Sequence, residues 1–148
     1  MSDPCERLQQ IWHEQIPISK AMGIQLVSFE GGELRLRAAL EPNVNVHGTG
    51  FAGSLYAVAA LCGWGLTHLN LEAAEQQASI VIARGEIDYR RPVAGDIECS
   101  GRFPADAALA ELQPGARQRY DLTIDIRSGD RSCATFAGVY AIKVNARD

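Results

Sequence analysis

Asn43-Val44-Asn45-Val46-His47-Gly48-Thr49-Gly50-Phe51 is a polar loop with two glycines, and it runs directly into the apolar stretch Phe51 to Leu69. The pairing predicts a loop at the mouth of a long buried helix that begins near Gly50 or Phe51. The first N–H groups of a helix have no partner inside it, and its aligned peptide dipoles leave about half a positive charge there. An oxygen acquiring negative charge is stabilised at such a place, and Gly48 and Gly50 let a ligand carbonyl approach the backbone closely. At roughly 1.5 Å per residue the helix would be about 28 Å long, which matches a strand of eight or nine residues. Its apolar residues run nearly all round, so it must be covered on most sides. Gly53, Gly63 and Gly65 each cost about 1 kcal/mol relative to Ala, so close packing has to outweigh propensity.

Working outward, Glu6 to Gln15 places Leu8, Ile11 and Trp12 on one side of a short helix that Pro17 closes. Met22 to Phe29 and Glu33 to Leu40 read as strands joined at Gly31-Gly32, the pair a tight hairpin needs. In the second strand Leu34, Leu36, Ala38 and Leu40 alternate with Glu33, Arg35 and Arg37, giving it one wet face. After a polar turn from Glu72 to Gln77 the chain is strand-rich: Ser79 to Arg91, Asp96 to Phe103, Arg119 to Ser128 and Arg131 to Val144. Pro92 to Gly95 and Ser128 to Asp130 are turns, and Pro104 to Ala116 is a longer connection with room for a short Ala-rich helix. Hairpin-length links favour antiparallel pairing. The expected fold class is α+β, a long central helix wrapped by a strongly curved antiparallel sheet of about six strands, with residues 1–148 forming one domain and no repeat or linker.

The composition excludes several classes. A net charge of -4 and a pI near 5.4 argue against nucleic-acid binding, which calls for a basic stripe. Cys5, Cys62, Cys99 and Cys133 are far apart with no Cys-x-x-Cys, so neither a zinc site nor a redox pair is expected, and the last three read as small core residues. Phe51 to Leu69 approaches the length of a membrane span, but Tyr56, Thr67, His68 and the three glycines interrupt it. The amino end lacks a basic lead and an apolar run of signal-peptide type, which makes the expected location cytoplasmic.

Val46-His47-Gly48-Thr49-Gly50-Phe51 before the helix, and Asp88-Tyr89-Arg90-Arg91-Pro92-Val93-Ala94-Gly95-Asp96 after it, resemble the hotdog-fold thioesterases over most of the chain. Asn45 to Leu55 look most like the YiiD type, a thioesterase-like domain often found behind an acetyltransferase domain. The resemblance implies a homodimer whose two sheets join into one, in some cases paired again into a homotetramer. The acyl-thioester site would lie between a helix start and the neighbouring subunit. No cofactor is implied beyond coenzyme A as part of an acyl-CoA substrate, with an acyl-carrier protein as the other carrier.

Carried over residue by residue, Gly48, Thr49 and Gly50 match the loop whose backbone N–H polarises the thioester carbonyl, and one such donor contributes about 3 kcal/mol to a transition state. His47 matches the family's loop histidine, suited to orienting substrate or assisting proton transfer, or else to a structural role. Asn45, and less directly Asn43, could hold water or the thioester oxygen, or satisfy the turn backbone. The phenylacetyl-CoA and hydroxybenzoyl-CoA branches carry a carboxylate on the long helix. The corresponding Ala52 to Val58 has none, which leaves Ser54 and Tyr56 as polar groups. Ser54 could position water or bond back to its own helix. Arg90 and Arg91 match positions that meet the nucleotide end of coenzyme A, where forked guanidinium donors suit phosphate. Glu86 and Asp88 are carboxylates within reach of those arginines in sequence, as candidate acids or as ion-pair partners. The expected activity is hydrolysis of an acyl thioester by water. A hotdog hydratase or dehydratase and a non-catalytic acyl-CoA binder are the alternatives.

Overall fold

A computed structural model describes residues 3–146. Helix α1 (Pro4–Gln15) starts where Asp3 accepts the Cys5 N–H at 3.0 Å, with Pro4 in the first turn, where a missing N–H costs nothing. Its Leu8 and Trp12 are buried and Ile11 is exposed. Pro17 ends α1 as expected but also opens a second short helix, α2 (Pro17–Ala21). Proline is as well suited to the first position of a helix as it is unsuited to the middle, so Pro17 both stops α1 and starts α2.

Strands β1 (Ile24–Glu30) and β2 (Glu33–Ala38) form the expected hairpin, with Gly31 and Gly32 at φ of 57° and 78°. Both central residues therefore adopt the left-handed conformation of a two-residue turn whose twist matches the strands. Leu34, Leu36 and Ala38 are fully buried and Arg35 and Arg37 exposed, as the alternation requires.

Helix α3 (Ala52–Ala73) is longer than its apolar run, about 33 Å. It absorbs the first residues of the polar segment and ends when the Gln76 N–H reaches back to the Leu71 carbonyl at 2.9 Å, with Glu75 at φ 58°. Its glycines are contact points. A Cβ on Gly63 would lie 2.2 Å from the Tyr140 hydroxyl, and one on Gly65 would lie 2.8 Å from the Trp12 ring. Tyr140 is fully buried and donates to the Ala60 carbonyl at 2.6 Å.

The remaining strands are β3 (Ala78–Tyr89), β4 (Ile97–Arg102), β5 (Arg117–Ser128) and β6 (Arg131–Val144). Leu109–Glu111 supplies one 3-10 turn in the long connection. All six strands form one antiparallel sheet in the order β1-β2-β4-β5-β6-β3, curved around α3 and not closed. One expectation needs correction here. The short link between β3 and β4 is not a hairpin, because β3 pairs with β6 at the far edge while β4 joins β2 and β5. The Arg90 to Asp96 link instead crosses the start of α3, held by the Gly50 N–H on the Val93 carbonyl at 2.8 Å.

Among the described residues β3 pairs on one side only. It carries an extra residue between Ile82 and Arg84, a bulge that bends the strand. Val81 and Ile82 are 59% and 42% exposed, far more than apolar residues of the inner strands. No helix among the described residues is long and apolar enough to cross a membrane.

Candidate active site

The loop before α3 is a closed structure in itself. Val44 and Gly50 bridge its two arms, the Asn45 N–H donates to the Thr49 carbonyl at 2.7 Å, and Gly48, at φ 80°, donates to the Asn45 carbonyl at 3.1 Å. Asn45 fills the centre. Its Oδ1 accepts from the N–H of His47 (2.8 Å) and of Thr49 (3.1 Å), and its Nδ2 donates to the Thr49 hydroxyl (3.0 Å) and the Gly50 carbonyl (3.3 Å). This is the short side chain satisfying a turn, one of the two roles the sequence left open. Asn43 is buried and donates to the carbonyls of Met22 (2.8 Å) and Ala39 (2.7 Å), anchoring the loop to β1 and β2. The tip points outward: Val46 is 96% exposed, and His47 is exposed too.

The amides of the glycine segment are occupied inside this architecture. Gly48 donates to Asn45, Thr49 to the Asn45 side chain, Gly50 to Val93, and Phe51 to the Asn43 carbonyl at 2.7 Å. The donors that remain lie one step further along. Leu55 is the first residue to bond within α3, to the Phe51 carbonyl at 3.0 Å, so the N–H groups of Ala52, Gly53 and Ser54 precede the ladder. Phe51 supplies no side-chain cap. Its half-exposed ring lies against Gly53, where a Cβ would come within 2.6 Å of it. Ala52 and Gly53 are exposed and Ser54 half-buried. Among the described residues the Ser54 hydroxyl makes no hydrogen bond, so it does not turn back onto its helix.

Two tyrosines complete the surroundings, and one of them was missed in the sequence. The Tyr89 hydroxyl donates to the Ala52 carbonyl at 2.8 Å, fastening the end of β3 to the start of α3. Burial, and then Tyr56, raise its pKa, so it stays a neutral donor. Tyr56 stands edge-on to Phe136 (centroids 5.1 Å, 82°), its hydroxyl over Gly85, where a Cβ would sit 2.2 Å away. The signal for Tyr89 was strand alternation: with Gly85 and Ile87 facing the helix, Tyr89 must face it too.

The same alternation separates the carboxylates from the helix start. Glu86 and Asp88 point to the outer face, where Asp88 lies 3.6 Å from Arg90. Arg90 is committed there, donating to the hydroxyls of Thr135 (2.9 Å) and Ser132 (3.0 Å). Arg91 donates to the Ser132 carbonyl at 3.2 Å and, with Arg131, lines a cavity of about 350 Å³ beside Pro92 and Ala94, the neighbours of the Val93 that holds Gly50. The site therefore joins Asn45, Gly48, Thr49 and Gly50 closely, places Ser54 in the first turn of α3, leaves His47 at the rim, and puts Arg91 in a cavity.

A long helix wrapped by a six-stranded antiparallel sheet, with the loop at the helix start, is the hotdog fold of thioesterases. The sequence profile of the family described as "Putative thioesterase (yiiD_Cterm)" matches residues 5–144, and the chain belongs to that family. A putative thioesterase from Shewanella oneidensis shares 37% identity, with 99% of this chain and 100% of that one covered at a TM-score of 0.90. A Chlorobaculum tepidum protein of unknown function shares 30% (95% and 94% covered, TM-score 0.86). A probable thioesterase from Pseudomonas aeruginosa shares 25% (98% and 99% covered, TM-score 0.81).

Proposed function

We propose that the protein hydrolyses acyl thioesters, with the thioester oxygen received by the N–H groups of Ala52, Gly53 and Ser54 at the open start of α3. The observation that carries this reading is the division of labour in the backbone: every amide from Gly48 to Phe51 is bonded in holding the loop, and the next three have no partner at the start of α3, where Ala52 and Gly53 are exposed. Fixed donors of this kind gain most as the carbonyl becomes an oxyanion, since they need no reorganisation. Asn45, Gly48, Thr49 and Gly50 act as the frame that aims them. The unpartnered Ser54 hydroxyl positions the attacking water, and His47 at the rim assists proton transfer. Arg91 takes the phosphates of an acyl-CoA.

The unpaired edge of β3, with Ile82 exposed, supports a homodimer in which two such edges meet. The second copy would wall the acyl channel beside Tyr56 and Tyr89. A second reading, a binder without turnover, is favoured by one feature: alternation turns Glu86 and Asp88 to the outer face, so neither faces the helix start as a base.

The deciding experiment measures free thiol released from a panel of acyl-CoA esters, alongside binding of the same esters. Turnover that falls in Ser54→Ala with binding retained supports hydrolysis. Tight binding with no thiol release by the unaltered protein selects the binder and overturns the proposal.

A further inference from the structure

Four arginines of the sheet sit against carboxylates. Arg35 and Arg102 reach Glu33 (2.7 and 3.5 Å), Arg90 reaches Asp88 (3.6 Å), and Arg127 reaches Asp125 (3.2 Å). One corner gathers three cations together. Register sets Lys143 of β6 directly between Ser79 of β3 and Arg117 of β5, and Arg119 follows on the same face about 7 Å along β5. Like charges directly opposite weaken a sheet. Among the described residues Arg117, Arg119 and Lys143 have no hydrogen bond or ion pair from their side chains. They line a cavity of about 500 Å³ whose floor includes Val81 and Ala141, and no carboxylate lines it. Composition does not force this arrangement, because the chain has 18 acidic residues against 14 Lys and Arg.

We propose that this corner is a binding site for a small phosphorylated ligand, a phosphate ester or pyrophosphate carried on an organic body. Two guanidinium forks and an ammonium suit the phosphate oxygens, and the Ser79 hydroxyl adds a neutral donor. Val81 and Ala141 offer apolar surface to the ligand body, and the volume lies in the range of small-molecule sites. The site is separate from the one at Arg91. Within one chain the two lie at opposite ends of β6, roughly 40 Å apart along the strand, and anion binding at the corner needs no thioester cleavage.

The test titrates the full chain with pyrophosphate and with adenosine 3′,5′-bisphosphate, reading binding by calorimetry and location by amide NMR shifts. The expected result is saturation below about 1 mM, with shifts at Ser79, Val81 and Ala141. Affinity at this corner, read from those shifts, should fall at least about tenfold in Lys143→Gln and Arg117→Gln, while Arg37→Gln, on β2, leaves it in place. Without ligand, Lys143→Gln should melt above the unaltered protein, because a like-charge pair is relieved, and it should gain less from added pyrophosphate. Equal binding by all variants, or no shifts at Ser79 and Ala141, overturns the proposal. So does loss of an oligomer in Lys143→Gln by light scattering without any change in anion binding, since the cations would then be meeting carboxylates of a second copy.

Discussion

Replacing Asn45 by Ala tests whether the loop is built by that side chain. The substitution removes the acceptor for the N–H groups of His47 and Thr49 and the donor to the Gly50 carbonyl, and it strands the Thr49 hydroxyl. Each bond contributes about 1 kcal/mol net. Asn45 is half-buried, so water replaces part of the loss, and the backbone bonds from Asn45 to Thr49 and from Gly48 to Asn45 survive. A destabilisation of about 2 kcal/mol follows, which for a chain of this size lowers the melting temperature by roughly 4–8 °C. The functional loss should be larger than the stability loss suggests. Gly50 sits two residues before Ala52, and a misplacement of about 1 Å at a reacting centre costs on the order of 100-fold. Thiol release should therefore fall 10- to 100-fold, chiefly in kcat. Asn45→Asp keeps the acceptor and loses the donor, so its melting temperature should fall between the two. Differential scanning calorimetry and a thiol-release assay read both effects. A variant with unchanged melting and unchanged rate refutes the reasoning outright. Full stability with abolished activity would mean that Asn45 touches substrate instead of framing the loop.

Four further outcomes follow from the same geometry. Gly63→Ala should lose about 2–4 kcal/mol in urea unfolding although alanine is the better helix former by about 1 kcal/mol, because the new methyl displaces buried Tyr140 from the Ala60 carbonyl; an unchanged midpoint would show that Tyr140 yields freely. Tyr89→Phe should change stability by less than about 1 kcal/mol, since the ring is partly exposed, yet lower the thiol-release rate several-fold by releasing the start of α3. Burial pushes the Cys5 thiol up to about 11 and the fully enclosed Cys62 thiol further. The unfolded chain then releases these protons first, so stability is complete below about pH 9 and falls as pH rises above it, with a shallower fall in Cys62→Ala by urea midpoints. Ile82→Glu, at the exposed edge of β3, should convert a dimer to monomer by light scattering, and an unchanged mass would place the interface elsewhere.

The elements were legible because each obeyed a single local rule. Leu34, Leu36 and Ala38 alternate with charged neighbours, so β2 could be nothing but a half-buried strand, and Gly31-Gly32 could only turn it back on β1. Strand order was not legible, because it is decided by contacts that no local pattern encodes. The Arg90 to Asp96 link has hairpin length but spans the start of α3, and what holds it there is the Gly50 N–H on the Val93 carbonyl, a bond between residues 43 positions apart. Pro17 failed for a smaller reason: it both stops one helix and starts another, and the sequence shows only that a boundary exists.

The site divides along the same line. That Asn45, Gly48, Thr49 and Gly50 belong together at a helix start was readable from their position, whereas which of their N–H groups remain available was not. A loop tight enough to aim donors must use its own amides to become tight, so the residues that look most like the oxyanion cradle are those least free to serve as one. Gly48, Thr49, Gly50 and Phe51 are each bonded within the chain, and the open donors begin at Ala52 and Gly53, whose side chains carry no polar group to signal them. This explains why Gly53 is informative where Ala52 is not. A Cβ at Gly53 would meet the Phe51 ring at 2.6 Å, and displacing that ring changes what covers the helix start without touching the loop. Gly53→Ala and Asn45→Ala thus perturb the donors from opposite sides. If both slow thiol release while only Asn45→Ala lowers the melting temperature, the donors lie in α3; if Gly53→Ala has no effect on rate, they lie elsewhere.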